Sequence, residues 1–160
     1  MTATNFTEAS SKTVCTDCGI PLDARHFDDS SFQQVDPGPG PDIVLASFEL
    51  QLQYCGVLEY FSQFCDTFAK DNSQVQTPGL RWLVLVNDRT LYPYLDVEWI
   101  LNPWGYGSFP FRVRLDEGAS VKFVVRRVNG GTSSSQTVGG RIAGRYWYNP
   151  AYGDAWRPHG

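Results

Sequence analysis

Phe109-Pro110-Phe111-Arg112-Val113-Arg114-Leu115, then Asp116-Glu117-Gly118, then Val121-Lys122-Phe123-Val124-Val125, is the stretch that decides the fold class. Apolar residues at 109, 111, 113 and 115 alternate with Arg112 and Arg114, and the alternation resumes at Val121, Phe123 and Val125 after the turn. Successive side chains of a strand point to opposite faces, so a period of two marks a strand with one face buried. Upstream, Val44, Ala46, Phe48, Leu50, Leu52 and Tyr54 alternate with Ser47, Glu49, Gln51 and Gln53, which predicts one long strand burying the first set. After the Thr77-Pro78-Gly79 turn, Leu80 to Val86 is almost continuously apolar, the pattern of a strand covered on both faces. Leu95, Val97, Trp99 and Leu101 predict another strand.

The last strand runs from about Gln136 to Tyr148, with Ile142, Gly144, Tyr146 and Tyr148 on one side and Arg141, Ala143, Arg145 and Trp147 on the other. Its glycines, Gly139, Gly140 and Gly144, predict places where another group comes close to the backbone. One stretch breaks the period: Val57, Phe61, Phe64 and Phe68 recur at steps of four, three and four, which predicts a short amphipathic helix over 56–69, with an aromatic-rich strand pair as the alternative. The expected fold is mainly β, an antiparallel β-sandwich or jelly roll with one short helix.

A chain of 160 residues holds one ordinary core. Residues 1–41 show no sustained period and end in Asp36-Pro37-Gly38-Pro39-Gly40-Pro41, so they predict an extended arm and linker, mobile until fixed against a neighbour. The sandwich is expected over 42–148, followed by an aromatic tail over 149–160. The polar start, Met1 to Lys12, has no apolar core of a secretory signal, and no run approaches a membrane span, so synthesis in a cytoplasm and no membrane partner are expected.

The net charge of −4 argues against nucleic acid as a partner, since neutralising phosphates needs clustered cations. The basic group Arg112, Arg114, Lys122, Arg126 and Arg127 reads as a solvated outer face. No catalytic constellation is found. The two histidines, His26 and His159, lie in the arm and next to the last residue, and Asp96 with Glu98 reads as a solubilising pair on one strand. The expectation is therefore a protein that is not an enzyme and needs no cofactor. Cys15 and Cys18 form a C-x-x-C that, with His26, is a candidate structural zinc site; disulfides are the competing reading, and Cys55 and Cys65 also read as small buried apolar residues.

Aromatic residues crowd the end of the chain. Trp147, Tyr152 and Trp156, with Trp104 and Tyr106 in a Gly/Pro loop, are the candidate interface residues, because Trp and Tyr dominate protein contact hot spots and also stack on sugar rings. The segments Arg81-Trp82-Leu83-Val84-Leu85-Val86, Phe109 to Gly118 and Gly139 to Tyr148 resemble those of small β-sandwich virion proteins of tailed bacteriophages. That resemblance implies a structural protein, a capsid decoration, head-fibre or tail accessory component, that binds other virion proteins and copies of itself as a homo-oligomer in the virion. The alternative is a carbohydrate-binding module or adhesin using exposed Trp and Tyr platforms.

Overall fold

The computed structural model describes residues 20–66, 79–91 and 108–149. They form eight strands: β1 (Arg25–Val35), β2 (Ile43–Glu49), β3 (Tyr54–Cys65), β4 (Leu80–Val86), β5 (Arg89–Thr90), β6 (Ser108–Leu115), β7 (Ser120–Arg127) and β8 (Gln136–Tyr148). Two four-stranded sheets face each other, one in the order β1-β8-β3-β6 and the other β2-β7-β4-β5. All pairings are antiparallel. They are also nested: β1 pairs with β8, β2 with β7, β3 with β6 and β4 with β5, while β3–β8 and β4–β7 contacts complete the sheets. This is the strand order of a jelly roll, made when one long antiparallel ribbon is rolled up so that its halves become opposite walls.

The roll explains why the deciding stretch is not a hairpin. The Asp116-Glu117-Gly118 turn carries the chain from β6 in one sheet to β7 in the other, and Gly118 takes a φ of +69° there. Among the described residues the only two-residue turn joining partners is Asn87-Asp88 between β4 and β5, whose φ values of 52° and 59° match the primed turns that suit strand twist.

The inward faces meet in an apolar, aromatic-rich core. Phe123 of β7 lies between Phe61 of β3 and Trp82 of β4, with ring centroids at 5.8 and 6.0 Å, and all three residues are fully buried. At one end Phe27 stacks flat on Phe48 at 3.9 Å, and Tyr146 and Tyr54 continue the aromatic packing. In β4, Trp82 and Val84 face the core while Leu83, on the other face, is also buried, as expected of a strand covered on both sides. The faces of β8 are as the sequence predicts: Ile142 and Tyr146 pack on the core, while Arg141 and Arg145 form their ion pairs on the opposite face.

Three sequence expectations are corrected. Residues 56–65 of the stretch expected to be helical over 56–69 are strand instead: Tyr54–Cys65 is paired on both sides. A bulge between Leu58 and Tyr60 inserts one residue, so Leu58 and Phe61 both reach the core although they are three apart. That spacing, with Cys65 four residues beyond Phe61, imitates a helical repeat. The long strand expected over 44–54 is two strands joined by a turn, with Gln53 at φ 67°. A second bulge between Val44 and Ala46 puts Leu45 inside and leaves Val44 44% exposed, and the turn leaves Leu52 72% exposed.

The third correction concerns the arm. Residues 25–35 are β1, an edge strand of the first sheet in full register with β8, so the sandwich starts well before residue 42. The period was hidden because its inward positions are partly polar: between Phe27 and Val35, the side chains of Asp29, Ser31 and Gln33 reach β2. Asp29 accepts from the Ser47 amide at 2.7 Å, Ser31 donates to the Leu45 carbonyl at 2.5 Å and Gln33 to the Val44 carbonyl at 3.0 Å. These bonds satisfy the free edge of β2 with side chains instead of a further strand, a way of blocking edge-to-edge pairing. The Pro/Gly segment is likewise tied down. Gly38 bridges to Thr132, Arg127 donates to the Pro39 carbonyl at 3.1 Å, and Arg126 holds Asp42 through two nitrogens.

Candidate functional site

The outward face of the first sheet gathers most of the described polar chemistry. In the β1–β8 register, His26 stands opposite Arg145, Ser30 opposite Arg141 and Phe32 opposite Gly139; in the β8–β3 register Arg141 faces Ser62 and Gly139 faces Phe64. Alternation therefore brings these residues to one surface.

Two paired guanidinium–carboxylate contacts cross this surface. Arg141 Nε donates to Asp28 Oδ1 at 2.7 Å and its Nη2 to Oδ2, while Arg145 Nε donates to Glu59 Oε2 at 2.8 Å and its Nη2 to Oε1. Such fork-to-fork pairs are strong and directional. The hydrogen bonds from Arg141 hold the Asp28 carboxyl below the ordinary Asp range, and those from Arg145 do the same for Glu59, with Arg112 and His26 adding to the pull. The Arg141 guanidinium also lies over the Tyr60 ring, 5.9 Å from its centroid, which fixes it from a second side.

Beside the Asp28–Arg141 pair the sheet opens into a groove of about 560 Å³. Phe32 and Phe64 flank it, in edge contact with centroids 5.5 Å apart at 72°, and Ser30 and Ser62 contribute hydroxyls. Its floor includes Gly139: a Cβ there would lie 2.5 Å from ring atoms of Phe32, so the ring rests directly on backbone. Phe32 is nevertheless 67% exposed.

Of the candidate zinc and interface residues, His26 and Trp147 are described. His26 is exposed on β1, and among the described residues no group of three His, Cys, Asp or Glu side chains is arranged to hold a metal. Cys15 and Cys18 lie outside the described residues, as do Trp104, Tyr106, Tyr152, Trp156, Asp96 and Glu98. Trp147 is half-buried, opposite Cys55 on the outward face. Cys55 and Cys65 are both buried, near opposite ends of β3. Ten residues of strand span roughly 33 Å, far beyond the ~7 Å limit between bridged Cα atoms, so the two cannot join each other. Burial pushes the Cys55 thiol up, and Cys65 Sγ donates to Gln136 Oε1 at 3.1 Å.

The basic group is dispersed. Arg114 pairs with Asp116 on the first sheet, while Lys122 and Arg126 pair with Asp88 and Asp42 on the second. Sequence reading missed Asp28, Phe32 and Arg141 as a group. Its one legible sign was Gly139, which announced a close approach without saying by what.

These features define a jelly-roll sandwich with a polar and aromatic groove on one wall. No known family model matches the chain, and a search of curated proteins gives no match. Among solved structures it is similar to the infectious bursal disease virus VP2 subviral particle, at TM-score 0.39 and 14% identity, covering 88% of this chain and 36% of that one. The chain thus spans little more than a third of that protein, and the likeness is too slight to bear on function.

Proposed function

We propose that this chain is a non-enzymatic structural component of a virus particle, binding neighbouring subunits and copies of itself. The observation that carries the reading is the nested strand order, β1-β8-β3-β6 against β2-β7-β4-β5, because jelly rolls recur as the wall-building unit of viral shells. The resemblance of the segments around β4, β6 and β8 to small virion proteins of tailed phages supports the finer placement, a decoration, head-fibre or tail accessory protein in the virion.

One end of the roll offers a contact surface. Leu52 in the β2–β3 turn and Tyr148 at the end of β8 are 72% and 53% exposed, and the Asn149 amide donates to the Gln53 carbonyl at 2.8 Å, which places the two at the same end. Exposed large apolar side chains grouped at one place are the signature of a covered surface in the assembled state. Trp147, Tyr152 and Trp156, which flank Tyr148 in the sequence, belong to the same proposal.

The test is to band particles from the source by density and quantify the chain by mass spectrometry against the major shell protein. A fixed ratio to that protein through repeated banding is expected, and Leu52→Asp should lower it without lowering the melting temperature. A chain that stays at the top of the gradient overturns the reading.

A further inference from the structure

We propose that the groove on the outward face of β1, β8 and β3 is a binding site for a neutral saccharide, with the Phe32 ring as its stacking platform and the Asp28–Arg141 pair as its hydroxyl-reading group. This goes beyond the assembly role and does not depend on it.

The platform is built and rigid. Phe32 lies on Gly139, where no Cβ intervenes, and the edge of Phe64 contacts it at 5.5 Å. One face of the ring is therefore occupied by backbone, while the side chain stays 67% exposed. A large apolar ring held open to water has a cost that a ligand with an apolar face removes. The C–H face of a pyranose is such a ligand.

Charge decides between ligand classes. Among the described residues, Asp28 and Arg141 are the only charged ones lining the groove, and they neutralise each other. An anion drawn to Arg141 meets the Asp28 carboxylate, and a cation drawn to Asp28 meets the guanidinium. A sugar hydroxyl both donates and accepts, so adjacent hydroxyls can donate to Asp28 and accept from Arg141 at once. The pair has capacity left for this: Arg141 uses Nε and Nη2 on Asp28, and the two side chains remain 47% and 45% exposed. The Tyr60 ring beneath the guanidinium and the bidentate geometry fix these donors and acceptors before a ligand arrives, which lowers the entropic cost of binding. Ser30 and Ser62 add hydroxyls along the groove. Its volume of about 560 Å³ falls within the usual range of small-ligand sites.

The test uses the full chain and saturation-transfer NMR with four neutral probes: methyl β-glucopyranoside, methyl β-galactopyranoside, methyl α-mannopyranoside and chitotriose. At least one should show transfer centred on its ring C–H protons. Phe32→Leu, which keeps an apolar cover over Gly139 but removes the aromatic face, should weaken that binding about tenfold, as should Asp28→Asn, with melting temperatures kept within a few degrees of the parent. N-acetylneuraminic acid and inorganic sulfate serve as charged probes and should give no competition. No transfer to any neutral probe overturns the proposal, and so does binding that Phe32→Leu leaves unchanged or that sulfate displaces. None of these results bears on whether the chain bands with particles, so the two readings fail separately.

Discussion

Replacing Gly140 by Ala, beside the same change at Gly139, tests the packing of β8 directly. The two residues are adjacent and point to opposite faces, and neither has the positive φ that would itself exclude a side chain. At Gly140 a Cβ would lie 2.5 Å from Phe123 Cδ1 and 2.8 Å from Leu45 Cβ. Neither neighbour can retreat, because Phe123 is wedged between Phe61 and Trp82 and Leu45 is only 2% exposed. Overpacking of this kind costs roughly 1–3 kcal/mol, while the loss of glycine freedom in the unfolded chain returns about 0.4–1. The net destabilisation of Gly140→Ala is then ~0–2.6 kcal/mol, or a fall in melting temperature of up to about 10 °C for a domain of this size. At Gly139 the obstacle is the Phe32 ring at 2.5 Å, an exposed side chain that can swing aside. Gly139→Ala is therefore expected to leave the melting temperature unchanged or to raise it by up to about 3 °C while lifting the ring from the groove floor. Thermal unfolding followed by circular dichroism reads both. A larger loss at Gly139 than at Gly140 would refute the assignment of the two faces of β8.

Three further outcomes are expected. A chain starting at Asp42 lacks β1, so it exposes the β8 edge and forfeits burial of Phe27 and Val35, worth about 1.5–3 kcal/mol each; calorimetry should show no cooperative transition where the full chain shows one. The Glu59 carboxyl is held low by Arg145, so its contribution is complete above the unfolded value of about 4.3 and is lost as pH falls through the lower folded value. Glu59→Gln should lower stability by roughly 1–2 kcal/mol near neutral pH and flatten the acid limb of a melting-temperature profile below about pH 4, and an unchanged limb counts against the pair. Cys55 and Cys65 are buried, and Cys55 is further protected by its raised pKa, so a thiol reagent should label both only after unfolding; peptide mapping that finds either modified in the native protein contradicts their placement.

Local sequence sufficed for four of the described strands. β4, β6, β7 and β8 follow from the period of two or from a continuous apolar run, because a strand packed on one side must alternate and one packed on both need not. The glycines of β8 likewise announced close contacts, and Phe32, Phe123 and Phe27 fill those places. What only the tertiary structure decided is everything that depends on a partner strand. The bulges in β2 and β3 shift the parity of Val44–Ala46 and Leu58–Tyr60, and a bulge is defined by the strand opposite, so its sequence looks like a broken strand or a helix. β1 carries Asp29, Ser31 and Gln33 toward β2 because that free edge needs donors and acceptors, a demand invisible in β1 itself. The groove is the furthest from the sequence: Asp28 and Arg141 are 113 residues apart, and only the rolling of β1 onto β8 makes them a pair beside an open aromatic ring.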